Sequence, residues 1–324
     1  MKAALCKTLD GPDGIVIADL PDPSPGPGEV VVRVRAAALN FLDTLITRGK
    51  YQVKPDLPFS PAGEYAGEVH QIGAGVTAFK IGDRVCGWGG YGGARQLLVT
   101  KAEALIAVPA SVTNEIAASF IVTYGTAMHG LKDRGQVKAG ETVAVLGASG
   151  GAGLAAVEVA KLMGATVIAA ASSDDKLAVC REHGADHTIN YATDDLKQAL
   201  RDATGGKGVD VVYDCVGGPY AEPALRSIAW LGRYLVIGFA AGDIPKIPLN
   251  LTLLKSCDIR GVFWGDAVRR DPASHRANLK QMLGWIADGR LRPHIHARFP
   301  LDKTADAIRL LDARTASGKV IITP

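Results

Sequence analysis

Glycines at positions 147, 150, 151 and 153 close the apolar run Glu141 to Leu146, with Ala148, Ser149 and Ala152 between them. Glycine has no Cβ, so main-chain N–H groups in such a loop can come into contact with phosphate oxygens. Leu154 to Met163 reads as a helix, and a helix N-terminus adds unpaired N–H donors and the positive end of its dipole. The chemistry implied is pyrophosphate binding. Strand, glycine loop, helix and then a second strand over Thr166 to Ala171 follow in the order a dinucleotide site needs. The spacing is GxxGGxG, and its extra residue lets the Ser149 hydroxyl reach phosphate too. A glycine turn serving only to pack helix on strand is the plainer alternative.

The end of that second strand decides which dinucleotide fits. An acidic side chain there would accept from a ribose 2′-hydroxyl and repel a 2′-phosphate. The sequence is Ala171-Ser172-Ser173-Asp174-Asp175-Lys176. Ser172 and Ser173 can donate to phosphate and Lys176 supplies charge. Asp174 and Asp175 argue the other way unless they open the next helix and point into solvent, which is the expectation here. NADPH is therefore the expected cofactor.

These residues must be carried by a chain of 324 residues, 48% of them hydrophobic, which is enough for two cores. Lysine and arginine number 36 against 33 aspartates and glutamates, without a basic cluster, so no nucleic-acid partner is expected. The N-terminal stretch MKAALCKTLDGPDG puts Lys2, Lys7 and Asp10 where a signal peptide would be apolar, and a cytoplasmic protein is expected. Leu154 to Ala171 is interrupted by Glu158, Lys161 and Gly164, which excludes it as a membrane span. Cysteines 6, 86, 180, 215 and 257 include no CxxC pair and are expected to be reduced, buried small hydrophobes.

Up to about residue 110, turn signals such as Pro21 to Gly28 separate short strands, among them Glu29 to Ala36 and Glu64 to Ile72. This predicts a β domain. From Val122 the pattern alternates: strands over Val167–Ala171, His187–Asn190, Val209–Asp214 and Tyr234–Ile237, helices over Asp175–His183, Asp194–Ala203 and Tyr220–Leu231. That is the pattern of a doubly wound parallel sheet. Asn278 to Ala287 reads as a further helix, and Ile295 to Ile322 as strand, helix and strand returning to the first domain.

At this point the chain resembles the zinc-independent quinone oxidoreductases of the medium-chain dehydrogenase/reductase superfamily. The likeness is carried by Ala38 to Thr44, Gly63 to Val69, Lys80 to Val85, the loop GASGGAG, Val211-Tyr213-Asp214 before Gly217, Gly238 to Asn250 and Gly261 to Gly265. It implies an α/β protein with a discontinuous GroES-like β-rich catalytic domain, residues 1–121 and 265–324, and a Rossmann doubly wound parallel sheet over 122–264. It also implies that Thr123, Ser149, Gly150, Gly151, Ala152, Gly153, Ser172, Ser173, Lys176, Tyr191, Gly217, Gly238, Phe239, Phe263 and Trp264 bind the cofactor, with Tyr191 close to the 2′-phosphate.

By the same resemblance Asn40 stands where zinc alcohol dehydrogenases carry a catalytic cysteine, and Gly63 where they carry a zinc-binding histidine. Neither replaces a thiolate or imidazole, so no metal is expected. His294 and His296, two apart on one face of a possible strand, lack a third ligand. Without a Lewis acid, alcohol oxidation loses its main device, whereas quinones and conjugated carbonyls accept a hydride or electron directly. The family pattern puts Asn40 near the nicotinamide, where its amide can hold the ring or a substrate carbonyl; a structural amide fixing a loop is the alternative. Tyr51 is a candidate donor to the product oxyanion, as a hydrogen-bond donor more readily than an acid, with packing alone as the alternative role. Many relatives have tyrosine where this chain has Leu45.

The expected function is NADPH-dependent, zinc-free reduction of quinones by a small-molecule enzyme; the resemblance implies a homodimer, with the segment Ile259 to Trp264 as a candidate pairing strand or its neighbour. An enoyl reductase acting on an unsaturated ketone, aldehyde or thioester is the alternative of the same fold. A non-catalytic NADPH-binding protein is the alternative from another class.

Overall fold

Turn-rich sequence in the first third folds into seven strands, β1 (Lys2–Cys6), β2 (Ile15–Asp19), β3 (Glu29–Leu39), β4 (Glu64–Ile72), β5 (Arg84–Trp88), β6 (Leu97–Lys101) and β7 (Leu105–Ala107). The alternating half supplies β8 (Thr142–Leu146), β9 (Thr166–Ala171), β10 (His187–Asn190), β11 (Val209–Asp214), β12 (Ile228–Val236) and β13 (Asp258–Gly261), and the tail β14 (Ile295–Pro300) and β15 (Lys319–Thr323). The computed structural model describes all residues from Met1 to Pro324. They form two units, Met1–Val122 with Pro293–Pro324, and Thr123–Arg292.

In the first unit the sheet order is β14-β15-β3-β4-β5-β7, with β6 also on β3. Strand β3 is its spine, since all its apolar side chains are buried, Val30, Val31 and Val32 completely. The tail strand β15 runs antiparallel to β3, pairing Val320 with Leu39, and β4 flanks the other side, pairing Glu64 with Ala38. Register alone therefore brings Lys319, Asn40 and Glu64 to one end of three adjacent strands.

The second unit has strand order β10-β9-β8-β11-β12-β13, and every pairing is parallel. Val143 to Leu146 are fully buried, each side chain larger than alanine contributing roughly 1.5–3 kcal/mol by leaving water. Parallel strands end on one edge, so the residues following β8 to β13 share it. The order reverses between β8 and β11, which is where such sheets bind ligands.

The structure departs from the sequence expectations in four places. The helix after β8 runs from Gly151 to Leu162, not from Leu154, because the loop glycines themselves form its first turn. Residues 228–231, expected at the end of a helix, belong to β12; the helix is only Ala221–Arg226, and Leu231 adopts φ 60° beside a register shift in the β11–β12 ladder. The helix expected from Asn278 begins at Pro272, with Asp271 as N-cap accepting from Ser274 N, a start that Asp-Pro chemistry favours. Residues 265–292 lie in the parallel-sheet unit, where Lys132 Nζ donates to Asn278 Oδ1 at 2.8 Å and Trp264 meets His275 edge-on.

Candidate cofactor site and buried polar cluster

The glycine loop is fixed by close backbone contact. A Cβ on Gly153 would lie 2.2 Å from the Gly147 carbonyl oxygen and 2.7 Å from Ala148 Cα, so only glycine lets the helix sit this close to β8. Gly147 has φ 69°, a conformation glycine adopts without strain. A Cβ on Gly150 would meet nothing nearer than 3.4 Å, so the space beside it is open. Within the helix the first paired amide is Leu154, to Gly150 O at 2.8 Å. The N–H groups of Gly151, Ala152 and Gly153 thus open a twelve-residue helix as the unpaired donors an anion needs. Ser149 is buried beside them.

At the ends of β9 and β10 the expected phosphate ligands meet. Lys176 Nζ lies 3.2 Å from Ser172 Oγ, and the Tyr191 hydroxyl hydrogen-bonds with Ser172. Burial, then the neighbouring Tyr220, pushes the Tyr191 phenol up to about 12, so it remains a donor through the neutral range. Ser173 is the N-cap residue of the helix Asp174–Glu182, without a side-chain cap. Both acidic residues do open that helix and are exposed, but Asp174 is not loose in solvent: its carboxylate accepts from Asn190 Nδ2 at 3.0 Å.

Asp214, at the end of β11, organises the next two loops. Its Oδ1 accepts from Val216 N at 2.8 Å and Gly217 N at 2.9 Å, and its Oδ2 from the Tyr234 hydroxyl at 2.5 Å. Burial raises its pKa and these bonds oppose the rise. Gly217 turns with φ 65°, and a Cβ there would strike Phe239 at 2.8 Å. Ala240 N and Ala241 N donate to Cys215 O and Val216 O, and Gly238 N to Asp214 O, so Gly217, Gly238 and Phe239 form one surface. Phe263 is half exposed after β13. Trp264 is buried, with its indole where a Cβ on Gly125 would lie; packing against the helix Ile121–Met128, which also carries buried Thr123, occupies that ring.

In the β-rich unit, Asn40 follows β3 as the N-cap of the helix Phe41–Ile46 and is 8% exposed. Its Nδ2 donates to Glu64 Oε1 at 3.0 Å, while Lys319 Nζ donates to Asn40 Oδ1 at 2.5 Å and to Glu64 Oε1. Glu64 Oε2 accepts from Val122 N at 2.8 Å. Burying two ions costs several kcal/mol each, on the order of what good hydrogen-bonded pairing returns. Asp43 accepts from Asn40 N and Ala62 N, both at 2.8 Å, and holds Ala62 at φ 67°. Burial lifts the Asp43 carboxyl to about 6 against the pull of those bonds and of Lys319, with the Glu64 charge adding to the rise. Tyr51 packs with Cys6, Ile46 and Phe59 instead; burial, then the Asp43 charge, raises its pKa.

Lys319, Glu64, Asp214 and Tyr220 were not among the sequence candidates. Asp214 alone carried a local signal, an Asp three residues before a glycine turn. For metals, no group of three or more His, Cys, Asp or Glu is arranged to hold an ion. His294 packs on Gly318, and His296 is exposed.

A glycine cradle at the switch point of a six-stranded parallel sheet, joined to a β-rich unit built from both chain ends, defines a dinucleotide-binding dehydrogenase or reductase. Residues 26–110 match the alcohol dehydrogenase GroES-like domain, and residues 151–288 match the zinc-binding dehydrogenase family. Quinone oxidoreductase-like protein 2 of Rattus norvegicus is 38% identical over 99% of this chain and 92% of its own length. The 2-haloacrylate reductase of Burkholderia sp is 33% identical over 99% of this chain and 98% of its own. Among solved structures, Escherichia coli quinone oxidoreductase complexed with NADPH superposes with a TM-score of 0.92 at 27% identity, covering 100% of both chains. The chain belongs to the quinone oxidoreductase family of the medium-chain dehydrogenase/reductase superfamily.

Proposed function

We propose that this protein is an NADPH-dependent, zinc-free reductase of quinones. The observation that carries the reading is the Lys319 ammonium beside Asn40 and Glu64. A fixed cation stands next to the position at which the family's zinc enzymes hold a ligand, and it would repel a dication. A Cβ on Gly63 would lie 2.8 Å from Gly90 O, so an imidazole there is blocked as well. An acceptor that needs no Lewis acid suits these residues.

The residues fit NADPH. Gly151, Ala152 and Gly153 offer N–H donors to the pyrophosphate, Ser149 adds a hydroxyl, and Ser172, Lys176 and Tyr191 donate to the 2′-phosphate. Gly217, Gly238 and Phe239 supply the adjoining wall. When bound, this cofactor supplies a hydride. The Asn40 amide orients a carbonyl by hydrogen bonding, and Tyr51, whose ring packs on Cys6, Ile46 and Phe59, is the candidate hydroxyl donor to the oxyanion left on the reduced acceptor, its raised pKa keeping the proton in place. A second copy of the chain pairs along β13.

The 2-haloacrylate reductase relative favours a second reading, reduction of a carbon–carbon double bond conjugated to a carbonyl. Steady-state NADPH oxidation with quinones, enones, 2-haloacrylate and crotonyl-CoA side by side separates the two. Highest kcat/KM on quinones is the expected result. Preference for an unsaturated acid or thioester transfers the assignment to the second reading, and no turnover with any acceptor overturns both. Full activity in chelator and less than about 0.1 zinc per chain are also expected.

A further inference from the structure

Lysine side chains are almost never fully buried unless paired, and Lys319 is 3% exposed. Its partners are Asn40 Oδ1 and Glu64 Oε1, and Glu64 Oε1 also takes Asn40 Nδ2. Both ends of the Asn40 amide therefore face a group of fixed polarity, ammonium at the oxygen and carboxylate at the nitrogen. Rotating the amide by half a turn would set NH2 against the ammonium and C=O against the carboxylate, two repulsive contacts in a low-dielectric interior. Only one orientation survives.

An amide nitrogen has two N–H donors, and Glu64 uses one. The other belongs to an amide whose carbonyl is hydrogen-bonded to a cation, which polarises it and strengthens the remaining donor. The sequence separations, 279 residues from Lys319 to Asn40 and 255 to Glu64, mean that the orientation is imposed by the returning tail strand.

We propose that Lys319 is a positioning residue for the reduction: through Asn40 it locks the amide so that its free N–H is offered to a carbonyl oxygen of the acceptor. This rests on the reading of Asn40 as a ligand contact. A lysine that merely offsets the buried Glu64 charge would matter for stability and not for the hydride step, which gives the test its discriminating readout.

The test compares wild type, Asn40→Ala, the charge-neutral pair Glu64→Gln/Lys319→Met, and the triple variant, using NADPH and its 4-deuterated form with any acceptor that wild type reduces. Removing both charges together avoids leaving one buried ion unpaired. Expected are a kcat about tenfold or more lower in the neutral pair, a larger isotope effect on kcat, and a triple variant no slower than Asn40→Ala within about threefold, as for residues acting in one unit. A raised acceptor KM with NADPH Kd unchanged is also expected, and the converse overturns the proposal. Lys319→Arg, which keeps a cation, provides a second line should the neutral pair fold poorly, and should retain more kcat than Lys319→Met. Losses that multiply in the triple variant, or a lowered Tm with kcat and isotope effect unchanged, overturn the proposal. Wild-type turnover by Asn40→Ala removes the reading beneath it.

Discussion

Tyr191 and Tyr220 lie with ring centroids 4.3 Å apart and planes inclined by 42°, joining the end of β10 to the turn that follows β11. The Tyr191 hydroxyl meets Ser172, so its ring is held on one face by Tyr220 and at its tip by the second strand. Aromatic pairs of this kind contribute about 0.5–1.5 kcal/mol beyond the area they bury. Tyr220→Ala should therefore raise the Kd for NADPH by roughly three- to tenfold through loss of Tyr191 orientation, at about 1.4 kcal/mol per factor of ten, while Tyr220→Phe stays near wild type. Fluorescence titration reads both, and an unchanged Kd in Tyr220→Ala would show that Tyr191 needs no support.

The nucleotide-binding half was the more legible part of the chain because its signals are local. Glycine spacing, β-branched runs and the order of strand and helix lie within a few tens of residues, and β9 and β11 emerge at the bounds read from sequence. What failed was also local in cause: the helix that polarity suggested up to Leu231 ends at Arg226, and residues from Ile228 pair as β12 with a register shift. The Asn40 cluster was only half visible. Nothing in Gly318-Lys319-Val320 distinguishes a buried lysine from a solvated one, since its burial depends on β15 finding β3. The same holds for Tyr220, whose partner arrives from another strand.

Strand β13 pairs only with β12 and so ends the sheet. Ile259 on it is exposed, and Leu253 and Leu254, just before it, are 78% and 64% exposed. An uncovered edge beside large apolar side chains is a hazard unless another chain covers it. A dimer is expected in light scattering at micromolar concentration, with Leu253→Asp/Leu254→Asp shifting it to monomer without loss of far-UV circular dichroism. A monomeric wild type would refute the pairing.

Asp43 gives the fold a pH dependence of definite sign. Its folded pKa of about 6 lies above the value of about 3.9 expected when unfolded, so between those pH values the native chain holds more protons. Its contribution is fully present below about pH 4 and is lost as pH rises through about 6, an order-of-magnitude effect of about 3 kcal/mol. Urea unfolding of wild type and Asp43→Asn across this window should show the wild-type advantage shrinking as pH rises. A difference that stays flat would mean that Asp43 ionises normally in the native state, and one that grows that its pKa is lowered there.

The sharpest expectation concerns the 2′-phosphate. Ser172, Lys176 and Tyr191 are within hydrogen-bond reach of one another, and Asp174 is engaged by Asn190, so the donors outnumber the free carboxylates at the end of β9. Lys176→Ala should weaken NADPH binding by about 1–3 kcal/mol, the cost of a charged hydrogen-bond partner, with NADH nearly unaffected. Ser172→Asp should do more, because it supplies the carboxylate that accepts from a 2′-hydroxyl and repels a phosphate, moving preference toward NADH. Both cofactors are titrated against wild type and the two variants. Equal losses for NADH and NADPH would mean that these residues hold the adenosine or the fold, and the phosphate pocket would have to be sought elsewhere on the strand edge.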